Sequence, residues 1–322
     1  MRILITGGAG YIGSRLTPLL LAAGHQVRVL DHLAHGGESL LGVWCHPGFE
    51  FTRGDIRDRD TVRTAVSGRD AVVHLAAVVG DPACSREPAL ARAINLDASL
   101  SLIEESQLAG VERFVFASTC SNYGRMKDAS QYVDEESELC PVSLYAETKV
   151  AVERALLQSG HNPGWCPTPL RFATIYGVSP RMRFDLTVNE FTMEMLIKKH
   201  LKVFGEQFWR PYIHVHDAAR AIQLVLSSPV ETAGGCVFNV GATDQNFQKK
   251  QLVDLIRPYA PDAVVEFVHK TEDPRDYRVS FARITNQLGF ETTRTVPQGI
   301  AEVARLAQEN VVVNFEDKKY CN

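Results

Sequence analysis

Short apolar runs alternate with stretches of helical spacing over roughly the first two-thirds of the chain. Arg2–Thr6 is an apolar run of the length of a buried parallel strand, and behind it Ile12, Leu16, Leu19 and Leu20 recur at the spacing of one helix face. Further runs fall at Val27–Asp31, Phe49–Phe51, Ala71–Ala77, Arg113–Ala117, Leu170–Gly177 and Cys236–Val240. Between them, Ile94, Leu96, Leu100, Leu102 and Ile103 form the apolar side of a helix stopped by Gly110. Another helix opens near Pro141 and continues through Val152 and Leu156. Strands alternating with helices predict an α/β protein with a doubly wound parallel sheet of about seven strands. The alternation breaks over 178–211 and 241–322. These segments are expected to form a smaller mixed α/β cap over the carboxyl edge of the sheet, leaving 1–177 plus 212–240 as the main domain.

The first strand ends in Gly7-Gly8-Ala9-Gly10-Tyr11-Ile12-Gly13 and runs straight into a helix. Strand, glycine turn and helix N-terminus make an anion site, because unbonded backbone N–H groups and the helix dipole face the same gap. Gly7 suits the tight turn, Gly10 admits a pyrophosphate close to the backbone, and Gly13 lets the helix approach the sheet. Asp31 ends the second strand about 20 residues later, where a carboxylate accepts from a ribose diol and repels a 2′-phosphate. These features together predict a Rossmann-like dinucleotide domain that takes NAD in preference to NADP. Asp55-Ile56, after the third strand, is placed to meet the adenine, although Asp55 fits helix capping equally well. The small residues of Leu75-Ala76-Ala77 leave room for a dinucleotide, Asn95 is the polar residue on the next helix expected beside it, and His74 reads as a packed core residue.

With a net charge of −4 and no long basic run, the chain is not built for nucleic acid. No apolar stretch reaches membrane-spanning length, and a strand beginning at residue 2 leaves no room for a leader, so a cytoplasmic location is expected. The seven cysteines are scattered and odd in number, with no zinc-type spacing, which predicts free thiols and no metal site.

The chemistry lies in two loops. Ser118-Thr119-Cys120-Ser121-Asn122-Tyr123-Gly124 follows the fifth strand, at the sheet edge where ligands bind in open α/β folds. Tyr145 and Lys149 are four apart and share one helix face. A phenol titrates near pH 10 and is a poor base at neutral pH, but a neighbouring ammonium and a positive nicotinamide ring lower that value. Thr119, Tyr145 and Lys149 are therefore the expected catalytic set, with Thr119 aligning the reacting hydroxyl.

These motifs resemble the extended short-chain dehydrogenase/reductase family, specifically its nucleotide-sugar epimerase/dehydratase branch, over essentially the whole chain. The resemblance is carried by residues 6–13, Asp31, Asp55-Ile56, 74–77, 118–124, 145–149, 210–217 and 273–290. It implies NAD-dependent oxidation of a nucleotide-diphosphate sugar, usually at C4, by a homodimer. It also implies a cofactor site of Gly7, Gly10, Tyr11, Ile12, Gly13, Asp31, Asp55, Ile56, Leu75, Ala76, Ala77, Asn95, Ser118, Tyr145 and Lys149. Arg210 and Arg275 fall where the family grips the diphosphate.

Departures from the family narrow the reaction. Dehydratases carry an acidic residue or pair just after the catalytic hydroxyl residue, and decarboxylases carry a Glu nearby. This chain has Cys120 and Ser121 there. That favours C4 epimerisation through a transient 4-keto sugar, with a 4-ketoreductase as the alternative, a dehydratase or decarboxylase behind it and a non-catalytic dinucleotide sensor further still. Thr174 stands where epimerases have an Asn that contacts substrate phosphate, and Asn189 is expected to supply that contact. Cys84 and Cys120 are expected on loops facing the cleft. With Ser121 and Val203 they complete the expected substrate set.

Overall fold

The computed structural model describes residues 1–125, 131–162, 164–269 and 276–322. Seven strands form the main sheet: β1 (Arg2–Thr6), β2 (Gln26–Asp31), β3 (Phe49–Arg53), β4 (Ala71–His74), β5 (Arg113–Thr119), β6 (Cys166–Phe172) and β10 (Phe238–Val240). Their order is β10-β6-β5-β4-β1-β2-β3, and every neighbouring pair is parallel. From β1 the chain winds outward to β3, returns to β4 beside β1, and winds outward the other way. The reversal between β1 and β4 opens a crevice at the carboxyl edge, the place where such sheets take ligands. The sheet is the doubly wound one the alternation predicts.

Both faces are covered, so the central strands read as continuous apolar runs, and β4 and β6 are buried at every position. On one face Ile3, Ile5, Val27 and Val73 join Leu16 and Leu20 of α1 (Gly13–Ala22) and Ile222 and Val225 of α8 (Val215–Ser227). On the other, Leu4, Val72, Phe114 and Phe116 meet Val62 and Val66 of α2 (Arg59–Val66) and Val152 and Leu156 of α6 (Leu144–Gln158). Burial of each such side chain stabilises the fold by about 1.5–3 kcal/mol. The short helix α3 (Asp81–Arg86) follows β4. Then α4 (Pro88–Arg92) passes through a π turn (Ala93–Ala98) into α5 (Ser99–Leu108).

The expected strand Leu170–Gly177 is two strands. Ala173 N donates to Val240 O, and beyond it the chain leaves the main sheet, so that β7 (Thr174–Tyr176) pairs instead with β9 (Trp209–His214). Strand β11 (Asn246–Gln248) completes that small sheet, and β8 (His200–Phe204) pairs with β12 (Val264–Val268). With α7 (Thr187–Met193) these form a second core around Tyr176, Val188, Met193, Val203, Leu252 and Ile300. The border with the main domain differs from the expected one. Tyr277, Val279, Phe281, Ile284 and Phe290, taken from sequence as part of the cap, are buried in the cluster of the main sheet. The backbone explains this: Val133 N donates to Arg278 O and Ser280 N to Val133 O, tying 278–280 to the segment that leads into α6.

Candidate active site

The glycine turn is shaped by contacts that a side chain would destroy. Gly7 has φ +74°, and a Cβ there would lie 2.7 Å from Ala76 N; one on Gly13 would lie 2.5 Å from Gly8 Cα. The turn is therefore pressed against Leu75-Ala76 at the end of β4, and α1 starts directly from it, leaving a cradle for an anion at the helix N-terminus. Asp31 holds its far side: Oδ2 accepts from Ala9 N at 3.0 Å and Oδ1 from Leu33 N at 2.8 Å. Gly10, Ile12 and Ala77 lie in the same two turns.

Tyr11 reaches the other way. Its hydroxyl, buried and pushed up in pKa by that burial, donates to Gly177 O at 2.5 Å, and Ser179 Oγ donates to Tyr11 O at 2.7 Å. The glycine turn and the first cap segment are thus bonded to each other. Asn189, expected to meet substrate phosphate, is fully buried in this junction. Its Oδ1 accepts from Gly177 N at 2.9 Å, and its Nδ2 donates to Arg183 O at 2.8 Å and to Tyr11 Oη at 3.1 Å. Both ends of the amide are used in joining cap to turn.

Other residues singled out from sequence also have partners within the protein. The cap of α2 is Asp58, which accepts from Asp60 N and Thr61 N, while Asp55 grips Arg57 through Oδ2–Nη2 at 2.6 Å; Ile56 beside it is buried. Asn95, in the π turn, accepts from Val78 N at 2.8 Å and donates to Val78 O at 2.9 Å and to Cys84 Sγ at 3.7 Å, so it pins the loop after β4. Cys84 lies on α3 rather than on a loop, buried, with its thiol donating to Val78 O. Cys120 turns inward onto Arg171 O at 3.2 Å, where burial pushes its thiol well up. Val203 is buried in the cap core, and Thr174 is half-buried, paired in register with Tyr212. His74 is the core residue expected: fully buried, it lies 2.7 Å from Thr6 Oγ1 and 2.8 Å from Ser99 Oγ.

The expected catalytic residues come from β5 and α6. Ser143 caps α6, accepting from Ala146 N, which places Tyr145 in the first turn. Lys149 sits one turn on, its Nζ donating to Ala117 O at 2.8 Å, 4.7 Å from the Phe116 ring centre and 5.8 Å from that of Tyr145. Burial lowers this ammonium to about 8. Burial raises the Tyr145 phenol above its ordinary value, with Arg183 the first charge to oppose it and Asp81 among those that reinforce it. Within the protein alone, burial outweighs the expected lowering and the phenol stands above its ordinary value. Thr119 Oγ1 accepts from Ser121 N at 3.1 Å, which leaves its O–H to donate. Ser118, expected at the cofactor, instead donates to Glu153 Oε2 at 2.7 Å.

Arg210, buried on β9, donates to Trp209 O, and its guanidinium lies 5.4 Å from the ring centre of Tyr277. The Tyr277 hydroxyl donates to Ser121 Oγ at 3.4 Å, which brings the candidate diphosphate grip and the catalytic loop to one ring. Arg275 lies outside the described residues.

Three residues of this region were not singled out from sequence. Glu153 is visible in hindsight as the next step of the stripe Tyr145, Lys149, Glu153 on one helix face. Arg171, its partner at 2.5 Å, carried no signal beyond being a charge inside an apolar strand. The third, Asp81, receives the Ser143 hydroxyl at 2.7 Å.

Residues 3–241 match the family model described as the NAD-dependent epimerase/dehydratase family. Among curated proteins, the dTDP-glucose 4,6-dehydratase of Streptomyces niveus is 30% identical over 96% of this chain and 94% of its own. The UDP-glucose 4-epimerase of Rhizobium meliloti is 31% identical over 80% of this chain and 81% of its own. Among solved structures, the dTDP-glucose 4,6-dehydratase of Streptomyces venezuelae, crystallised with NAD, superposes with a TM-score of 0.85 at 26% identity, covering 96% of this chain and 98% of that one.

Proposed function

The chain belongs to the NAD-dependent epimerase/dehydratase family, and from that premise we propose that it is an NAD-dependent nucleotide-sugar epimerase acting at C4 through a transient 4-keto sugar. The observation that carries the choice is the pair after Thr119. Cys120 is turned into the core and Ser121 is a hydroxyl, so neither offers the carboxylic acid that water elimination needs at that place. Oxidation and return of hydride at one carbon need only a proton shuttle.

The cradle at the N-terminus of α1, with Asp31 beside the turn, suits NAD: the glycine turn packs on Ala76 too closely for any side chain at Gly7, and a carboxylate there accepts from a ribose diol. Bound there, NAD would supply the hydride acceptor and a positive ring that counters the raised phenol. Tyr145 would take the proton of the sugar hydroxyl and give it back. Lys149, its ammonium fixed on Ala117 O, holds a positive charge on the far side of the phenol at neutral pH. Thr119 would donate to the reacting oxygen and fix its direction towards Tyr145. Arg210 would take the diphosphate, a planar donor for which phosphate is the natural partner.

The test is incubation of the purified protein with UDP-glucose, UDP-galactose and dTDP-glucose without added NAD, followed by separation of the sugar nucleotides. A C4 epimer is expected. Product that forms only with stoichiometric external NAD or NADH excludes epimerisation in favour of a dehydrogenase or reductase, and a 4-keto-6-deoxy product assigns a dehydratase.

A further inference from the structure

Residues 320–322 run between two elements that flank the crevice. On one side lies the cap segment that follows β7. Its Arg181 N donates to Ser14 Oγ, in the first turn of α1, at 3.3 Å, which sets this segment beside the end of β1. On the other side lies α3, which follows β4 and ends at Arg86. Strands β1 and β4 are the neighbours between which the winding reverses, so a segment that touches both Arg181 and Arg86 spans the mouth of the crevice. Cys321 and Asn322 do this. Arg181 Nη2 donates to Cys321 O at 3.0 Å and to Asn322 Oδ1 at 2.8 Å, and Arg86 Nη2 donates to Asn322 O at 3.1 Å.

The two attachments are unequal. On the cap, Phe184 N donates to Tyr320 O at 3.0 Å, the two rings meet edge to face with centres 5.2 Å apart, and Asn322 N donates to Asp185 Oδ2 at 3.3 Å. Arg181 is only 6% exposed and its Nε is buried without a partner, so the oxygens of 321 and 322 are what its guanidinium has. Stripping them from a buried cation is costly. On the main domain a single exposed hydrogen bond from Arg86 holds the segment, and contacts of that kind contribute little. Opening therefore breaks the Arg86 bond and leaves the root on the cap intact.

We propose that residues 320–322 are an arm of the cap that closes the cofactor crevice, with Arg86 as its catch, and that the arm sets how fast NAD enters and leaves. The dinucleotide passes only while the arm is off Arg86. Because the arm is held by protein at both ends, it closes over the empty and the loaded crevice alike. Entry and release then scale with the same open fraction, and their ratio stays constant. The proposal needs NAD in the crevice but no particular reaction there, so it stands apart from the epimerase reading.

The experiment compares wild type with Arg86→Ala and with a variant lacking residues 320–322. Stopped-flow fluorescence follows NADH entering nucleotide-free protein, and NADH leaving when it is displaced by excess NAD. Arg86 is exposed, so its replacement leaves the fold intact, and urea midpoints check this for both variants. In Arg86→Ala both rates are expected to rise by about 2- to 10-fold, the range for loss of one modest hydrogen bond, with Kd unchanged. The shortened variant should show the same pattern with a larger rise. An unchanged release rate in Arg86→Ala overturns the proposal. So does faster release with unchanged entry, which would make Arg86 a contact of the cofactor rather than a catch. A shortened variant that exchanges NADH no faster than wild type also overturns it. None of these measurements requires turnover, so failure of the C4 reading and failure of the arm are read separately.

Discussion

Glu153 accepts the Ser118 hydroxyl at 2.7 Å, one helical turn beyond the point where Lys149 donates to Ala117 O at 2.8 Å. Two consecutive residues of β5 are thus fastened to two successive turns of α6, and the next residue of β5 is Thr119. These two ties fasten the end of β5, where Thr119 stands, to the helix that carries Tyr145. Arg171 closes the arrangement from β6, donating to Glu153 through Nε and Nη2 and to Tyr123 Oη through Nη1.

Removal of one partner of this buried pair strands the other. Glu153→Leu is expected to destabilise the protein by about 3–5 kcal/mol, and the double variant Glu153→Leu/Arg171→Met by much less than the sum of the single changes. Urea unfolding of the four proteins measures both. A cost below about 1 kcal/mol for the single change would show that the pair does not hold the sheet to α6.

Tyr145→Phe keeps the ring and removes the proton-carrying hydroxyl. Turnover is expected to fall by about 10²–10⁴, with NAD binding by calorimetry unchanged. Lys149, lowered to about 8, loses its charge as pH rises through that value, so the alkaline limb of the rate profile should lie near pH 8. In Lys149→Arg the cation persists, and the limb should move upward or vanish.

Asp31 accepts from Ala9 N of the glycine turn and from Leu33 N of the loop that follows β2. Asp31→Ala leaves both unpaired and should cost about 1–3 kcal/mol of stability. It should also erode the preference for NAD over NADP, read as the ratio of their Kd values. A ratio that stays at the wild-type value would separate Asp31 from cofactor choice.

His74 is held neutral by burial, with Lys149 nearby adding to the effect, and its pKa lies at about 3 against about 6.5 for a free histidine. Between those values the unfolded chain takes up a proton that the folded chain refuses. Stability is therefore unaffected above about pH 6.5 and is lost as pH falls towards 3. His74→Gln should flatten this part of the dependence of the urea midpoint on pH; an identical slope would assign the acid sensitivity to other groups.

All seven cysteines are free thiols, of which Cys45 and Cys140 are exposed and Cys84, Cys120 and Cys166 buried. Maleimide labelling of the native protein followed by peptide mapping should modify Cys45 and Cys140 first. Rapid labelling of Cys120 would contradict its inward position on Arg171 O.

Local pattern determined a great deal here. The seven strands, the glycine turn, Asp31 at the end of β2 and the shared helix face of Tyr145 and Lys149 follow from periodicity and spacing, because each is settled by residues close together in the chain. What lies between segments was decided by tertiary packing. The chain leaves the main sheet at Ala173, residues 277–290 return to the main core, and Cys120 faces inward rather than into the cleft. Asn95, Ser118 and Asn189 have the right residue types for ligand contacts, yet each is consumed by a backbone or side-chain partner remote in sequence. A buried polar group takes whichever partner the fold brings to it, since leaving it unbonded costs more than a new contact gains. Spacing along one element can place a side chain on a face, but which partner stands opposite is a property of two elements at once, and only the assembled protein determines it.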